Sequence, residues 1–201
     1  MGIQERRIRE KEQLRRQILD AARDLFITEG YENVSMRKVA DRIEYSPTTI
    51  YLYFKNKTDL LIAISENILN SLLDTLEGLS KDTGDPVITL KKGAQAYAEF
   101  GLTHPQDYEL IFIIRPHYQE GLRLTEGSAG ERAFRYLRDM VNECIRQKKF
   151  RQMDTETTSQ ALWSAMHGVT SLLIAYPDFP WVEKDALINM TIDTMIEGLK
   201  A

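Results

Sequence analysis

The sequence predicts an all-α protein: a three-helix helix-turn-helix unit followed by a larger helical domain, about nine helices in all. Two observations carry this expectation. Apolar residues recur at helical spacing along almost the whole chain, and no stretch alternates convincingly at period two. Two pairs, Ser46-Pro47 and Asp85-Pro86, join an N-cap residue to proline at the first helical position, a strong start signal.

The elements follow in order. Leu14, Ile18, Ala21, Ala22, Leu25 and Phe26 form one apolar stripe that stops at Gly30, as helix C-termini often do. Ser35 opens a short helix to about Ile43, whose apolar side is Val39, Ala40 and Ile43. Another short helix runs from Pro47 to about Phe54. Asn56 caps the next, with Asp59 at the third position, where a carboxylate suits a helix N-terminus. That helix carries Leu61, Ile64, Ile68, Leu72, Leu76 and Leu79 on one stripe. Its length is on the order of 34 Å at 1.5 Å per residue. The polar break Lys81–Asp85 ends it, and further helical patterns cover 86–103, 105–115, 130–149, 155–176 and 180–199. Pro116, Gly121, Gly127 and Gly130 mark 116–130 as the loosest internal segment.

Composition bounds the class. The 201 residues are 43% hydrophobic and 28% charged, enough to bury a core and unlike a disordered chain. Cys144 is the single cysteine, which excludes an intrachain disulfide and a thiolate zinc cluster. The N-terminus is charged throughout and no run of about 18 apolar residues occurs, so a cytoplasmic location is expected. Net charge is −4, which at face value argues against nucleic acid. The distribution reverses that argument: residues 1–60 hold 12 basic and 10 acidic side chains, net +2, and the remainder nets −6. A cationic end on an acidic body favours one oriented contact with a polyanion.

Two short helices joined by about three residues, after a longer amphipathic one, describe a helix-turn-helix whose second helix presents its N-terminal residues to base edges. Residues 18–61, ILDAARDLFITEGYENVSMRKVADRIEYSPTTIYLYFKNKTDLL, resemble the DNA-binding domain of the TetR family of transcriptional regulators. The shared features are Ala-Ala-x-x-Leu-Phe, Gly30-Tyr31, Val39-Ala40, Ser46, Thr49, Ile50-Tyr51, Tyr53-Phe54, and Lys57 with Leu60. One departure stands out. The family's turn is usually Ala-Gly-Val-Ser, and here it is Ile43-Glu44-Tyr45-Ser46; Glu44 must tolerate strain or the turn must differ.

Small and hydroxyl side chains at Pro47, Thr48 and Thr49 can meet thymine methyls and base or phosphate acceptors. Tyr51 and Tyr53 can reach phosphate oxygens, or pack on the first helix. Ser35 and Ser46 read as caps, with Ser35 also able to touch a phosphate. Ile50 and Phe54 read as core. Lys57, a cation in a first helical turn, opposes the macrodipole and becomes favourable if a phosphate docks there. Arg37 and Lys38 raise the same question one helix earlier. Arg6, Arg7 and Arg9 read as an arm toward a neighbouring phosphate or groove, or as solvated surface.

The rest of the chain reads as a regulatory domain. THPQDYELIFII, 103–114, resembles a His-Pro-x-x-Tyr segment of some TetR-family regulatory domains, and Trp163 with His167-Gly168 resembles their Trp-His-Gly signature. Tyr97, Phe100, Tyr108, Phe112, Trp163, Met166 and His167 supply the aromatic lining and few polar tips of a small-molecule site, or else plain core. None of His104, His117 and His167 share a helical face at i,i+4, so neither a metal nor a cofactor is expected. The 155–176 helix has two apolar faces, one through Ala161, Leu162, Ala165, Met166, Val169, Leu172 and Leu173, the other through Trp163, His167, Thr170 and Ile174. With the last helix it can build an intermolecular four-helix bundle, as the resemblance implies, or a thicker core of its own.

The domain boundary is expected near residue 60: a reading head over 1–60 and a helical ligand-binding and dimerisation domain over 61–201. The resemblance implies a homodimeric repressor whose operator affinity a small molecule controls. An enzyme is not expected, since phosphate-loop, nucleophile-elbow, zincin and dinucleotide signatures are missing. Ser35-x-x-Lys38 lacks the companion motifs of a serine acyl-enzyme. The competing reading is an all-α ligand carrier or interaction module that binds no operator.

Overall fold

The structure is a computed structural model that describes residues 2–79, 84–113 and 125–201. Among these the secondary structure is helical: α1 (Ile3–Glu29), a 3-10 turn (Tyr31–Asn33), α2 (Met36–Arg42), α3 (Pro47–Tyr51) and α4 (Lys57–Leu79). Then come α5 (Pro86–Thr103), α6 (Pro105–Tyr108), a π-helical turn (Glu109–Ile113), α7 (Ala129–Arg146), α8 (Thr155–Ala175) and α9 (Lys184–Leu199). No described helix is long and apolar enough to cross a membrane.

The described residues form two compact units, one of 2–67 with 109–113, the other of 68–79, 84–108 and 125–201. In the first, α1 packs on α2 and α2 on α3. Ile18, Ala22, Phe26, Val39, Ala40, Ile50 and Leu60 are fully buried there, and Phe54 nearly so. In the second, α5 packs against α7, α8 and α9. Their shared core includes Leu90, Ala98, Val141, Cys144, Phe150, Leu162, Met166, Leu173, Ile188, Ile192 and Ile196.

Caps explain where the helices begin. Ser35, Ser46, Asp85, Ser128, Asp154 and Glu183 each accept a backbone N–H of the first turn with the side chain. Asn56 Oδ1 accepts from Asp59 N at 2.8 Å, while Asp59 Oδ2 reaches back to Lys55 N at 3.0 Å, so both ends of the expected cap are used.

Several boundaries depart from the sequence expectation. The helix after Pro47 ends at Tyr51, three residues early, because Leu52 N and Tyr53 N close tighter turns onto Thr49 O and Ile50 O, with Phe54 N also on Ile50 O. The last helix starts at Lys184 instead of 180, where Glu183 caps it after the Pro177–Pro180 segment. The 105–115 pattern divides into α6 and a π-helical turn, and its last two residues lie outside the described ones. Most of the loose segment 116–130, with His117, also lies outside them; α7 is already formed at Ala129. Arg6, Arg7 and Arg9 sit on an exposed N-terminal extension of α1 and not on an extended arm, with Arg6 paired to Glu10 at 2.8 Å.

Candidate nucleic-acid interface and ligand cluster

The turn before α3 is a Schellman motif, which shows how glutamate replaces glycine. Tyr45 N donates to Ala40 O at 3.0 Å and Glu44 N to Asp41 O at 3.3 Å. Glu44 itself stands at φ +60°, the left-handed conformation that glycine adopts at little cost. The turn keeps its usual geometry and Glu44 carries the strain.

From that turn α3 projects with Ile50 buried, and Phe54 buried just beyond its end, as the sequence suggests. Thr48, Tyr51 and Leu52 are consequently exposed, as are Ser46, Ser35 and Arg37, while Pro47, Thr49 and Tyr53 are half-buried. Ser46 Oγ lies 2.9 Å from Thr49 Oγ1 and also accepts Thr49 N, so this pair is engaged in capping. Arg37 has no hydrogen bond or ion pair among the described residues. Lys38 differs: its ammonium is held by Glu29 Oε2 at 2.5 Å and by Asn33 O at 3.0 Å. Ser35 meets Lys38 through the backbone: its Oγ accepts Lys38 N at 3.2 Å.

Lys57 resolves the dipole conflict within the chain. Its Nζ donates to Tyr31 O at 2.9 Å, lies 3.6 Å from Glu32 Oε2, and stands 4.2 Å from the Tyr31 ring centroid. The carbonyl ends of the 3-10 turn and the ring face offset the unfavourable charge at the start of α4. The position of this lysine thus has an account within the chain beside the phosphate one expected from the sequence.

In the second unit, four of the seven proposed ligand-lining residues meet in one hydrogen-bonded chain. Trp163 Nε1 donates to Tyr97 Oη at 3.3 Å; Tyr97 Oη lies 3.1 Å from Tyr108 Oη; Tyr108 Oη lies 2.6 Å from His167 Nδ1. The Tyr108 and His167 rings stack at 5.5 Å. Each donor finds an acceptor when His167 is neutral with its proton on Nε2, because Nδ1 then receives Tyr108 and Tyr108 receives Tyr97. Burial pushes the ionisation of both tyrosines above the usual phenol value, so they act as neutral donors.

The other three do not join this chain. Met166 is buried in the main core, the bland reading of a helical-spaced methionine. Phe100 packs on His104 at 5.7 Å, and Phe112 belongs to the first unit. Burial on α8 follows Ser159, Leu162, Met166, Thr170 and Leu173, so the expected stripe splits and leaves Ala161 and Leu172 exposed.

Two family models match: "Bacterial regulatory proteins, tetR family" over residues 18–64, and "Tetracyclin repressor-like, C-terminal domain" over residues 90–196, more than half of the chain. The chain belongs to the TetR family. Among curated TetR-type relatives, the HTH-type transcriptional activator FasR of Mycolicibacterium smegmatis is 28% identical over 102 residues, 51% of this chain and 47% of that protein. The fatty acid metabolism regulator protein of Bacillus subtilis is 36% identical over 61 residues, 30% of this chain and 31% of that protein. The chain thus spans less than half the length of these curated relatives. The transcriptional regulator FadR from Bacillus subtilis, solved in complex with stearoyl-CoA, shares the fold with a TM-score of 0.78 at 20% identity, over 91% of this chain and 98% of that one.

Sequence reasoning missed two neighbours of the cluster in this TetR-family chain, Phe134 and Gly101, and gave a third, Thr170, no role of its own. Phe134 packs edge-on to Trp163 at 6.1 Å. Gly101 lies so close to Tyr108 and Thr170 that a Cβ there would stand 2.8 and 2.5 Å from them. Thr170 Oγ1 is buried with no hydrogen-bond partner among the described residues. A glycine inside a helical pattern is the available signal for Gly101; the spacing puts Thr170 on the stripe of Trp163 and His167, and nothing in it marks Phe134.

Proposed function

We propose that this chain is a DNA-binding regulator of transcription, a homodimeric repressor released from its operator by a small fatty acyl effector. The observation that carries the reading is the exposed end of α3: the buried Ile50 and Phe54 anchor it, so Thr48 and Tyr51 are free to meet a major groove. Ser35, Arg37, Ser46, Pro47, Thr49 and Tyr53 complete the surface, with Lys57 holding its rear edge. Two such helices, one per subunit, would read half-sites about 34–36 Å apart. Exposed Leu172 on α8 and Met190 on α9 supply apolar area for a partner subunit, the bundle expected of the last two helices. Names of relatives support the effector class, since one regulates fatty acid metabolism and another was solved with stearoyl-CoA. The Tyr97–Tyr108–Trp163–His167 chain is the polar part of the effector site, and Phe100 and Met166 stand on the same two helices, α5 and α8. A cytoplasmic location and the lack of catalytic activity follow from the same reading.

Mobility-shift titration against upstream DNA at several salt concentrations tests it. Arg37→Ala should weaken binding to every sequence and flatten the salt slope by about one unit, whereas Thr48→Ala should change sequence preference. Absence of duplex binding at low salt would favour the interaction-module reading instead. Dodecanoyl-CoA should then release the bound DNA; a retained complex would remove the repressor mechanism.

A further inference from the structure

Arg132, near the start of α7, is half-buried, and its guanidinium is strangely served. Its Nη2 donates to Asn70 Oδ1 on α4, while its Nε is buried and has no hydrogen-bond partner among the described residues. No carboxylate pairs with it among the described residues. The neighbouring arginines on α7 do have acids: Arg135 pairs with Glu131, Arg138 with Glu156 and Arg146 with Glu143.

The geometry of guanidinium makes this meaningful. Nε–H and Nη2–H point in parallel along one edge of the plane, spaced to take both oxygens of a carboxylate or two of a phosphate. Here that edge holds a single neutral amide oxygen. Arginine cannot shed its proton, so the charge persists and the Nε donor stays unmet. An unmet buried donor carries a desolvation cost that an incoming acceptor would remove.

Position connects this edge with the cluster above. Arg132 and Tyr136, one turn apart, share the face of α7 turned toward α4 and α5: a Cβ on Gly93 of α5 would meet Leu76 of α4 and Tyr136 at 3.6 and 3.9 Å, while Asn70 of α4 meets Arg132. Because consecutive α4 and α5 run antiparallel, the step from Leu76 back to Asn70 matches a step from Gly93 forward along α5, so Arg132 stands at the axial level of about residue 97, where Tyr97 enters the cluster.

We propose that the Nε–Nη2 edge of Arg132 is the oxyanion anchor of the effector site, taking the carboxylate or phosphate of an organic anion in place of Asn70 Oδ1. The proposal rests on the effector reading but not on operator binding. Asn70 is the placeholder of the free state: it satisfies one donor and yields to a charged, two-oxygen acceptor.

Calorimetric titration of the full chain without DNA tests it, with dodecanoate, dodecanoyl-CoA and dodecan-1-ol as probes. At least one anionic probe should bind about tenfold or more tighter than the alcohol, the scale of one charge-assisted pair. Arg132→Gln should erase that advantage and leave the alcohol unchanged. Asn70→Asp places a carboxylate permanently on the same edge, so it should raise the melting temperature and also erase the advantage. If Arg132→Gln does not fold, Asn70→Asp decides alone. Dependence for dodecanoate assigns a carboxylate, and dependence for the thioester alone assigns a phosphate. An anion advantage that survives Arg132→Gln or Asn70→Asp overturns the proposal, as does failure of every anionic probe to outbind the alcohol. Loss of operator binding with these results intact would overturn only the regulator reading.

Discussion

Placing a methyl group on Gly101 tests the packing that holds the tyrosine–histidine chain. The new Cβ would lie 2.5 Å from Thr170 Cγ2 and 2.8 Å from Tyr108 Cδ2. Both neighbours are fully buried, one β-branched and the other a ring, so neither has a flexible end to move. Overpacking of that kind costs about 1–3 kcal/mol, and contacts this short belong at the upper end. Alanine recovers about 1 kcal/mol of helix propensity over glycine. The balance is a loss of about 2 kcal/mol, or about 4–8 °C in melting temperature for a chain of this size. Gly93→Ala is the matched control: its Cβ meets Leu76 and Tyr136 at 3.6 and 3.9 Å, ordinary contacts, so stability should hold or rise slightly. Thermal unfolding by circular dichroism reads both. A Gly101→Ala protein as stable as its parent would refute the close approach of α5 to Tyr108.

Three further outcomes are expected. Glu44→Gly should stabilise the first unit by about 0.5–1 kcal/mol in urea titration, because the φ of +60° no longer meets a Cβ, while Glu44→Ala should give no such gain. Gly168 meets nothing within 4 Å, so Gly168→Ala should strengthen α8 by up to about 1 kcal/mol in one subunit. If α8 packs closely on a partner, the same change weakens the dimer in sedimentation, and an unchanged dimer constant would put the interface elsewhere. Burial pushes the Cys144 thiol up to about 12, so a thiol reagent at neutral pH should label it only as fast as the chain opens. Prompt labelling of the native protein would contradict the buried core around it.

Much of the reading head is legible from sequence because its signals are local. Ser46 and Asn56 cap helices through groups three residues away, and Pro47 sets its own φ. Glu44 was legible as a strained position for the same reason. The intrachain partners of Lys57 are not legible in the sequence, because Tyr31 and Glu32 lie 26 and 25 residues upstream and helix electrostatics alone does not reveal them. On α8 the two apolar stripes are visible in the sequence, yet which residues of each are buried depends on the placement of α5, α7 and α9.

The sequence by itself determined that the chain is helical, where the caps fall, that a helix-turn-helix opens it, and that the cationic charge gathers there. Only the tertiary structure decided that Tyr97, Tyr108 and Trp163 converge on His167, that Gly101 makes room for them, and that Arg132 meets Asn70 across 62 residues of chain. The physical reason is range. Capping and amphipathic spacing act within a turn or two of backbone, whereas a hydrogen bond between separate helices depends on how every intervening side chain packs.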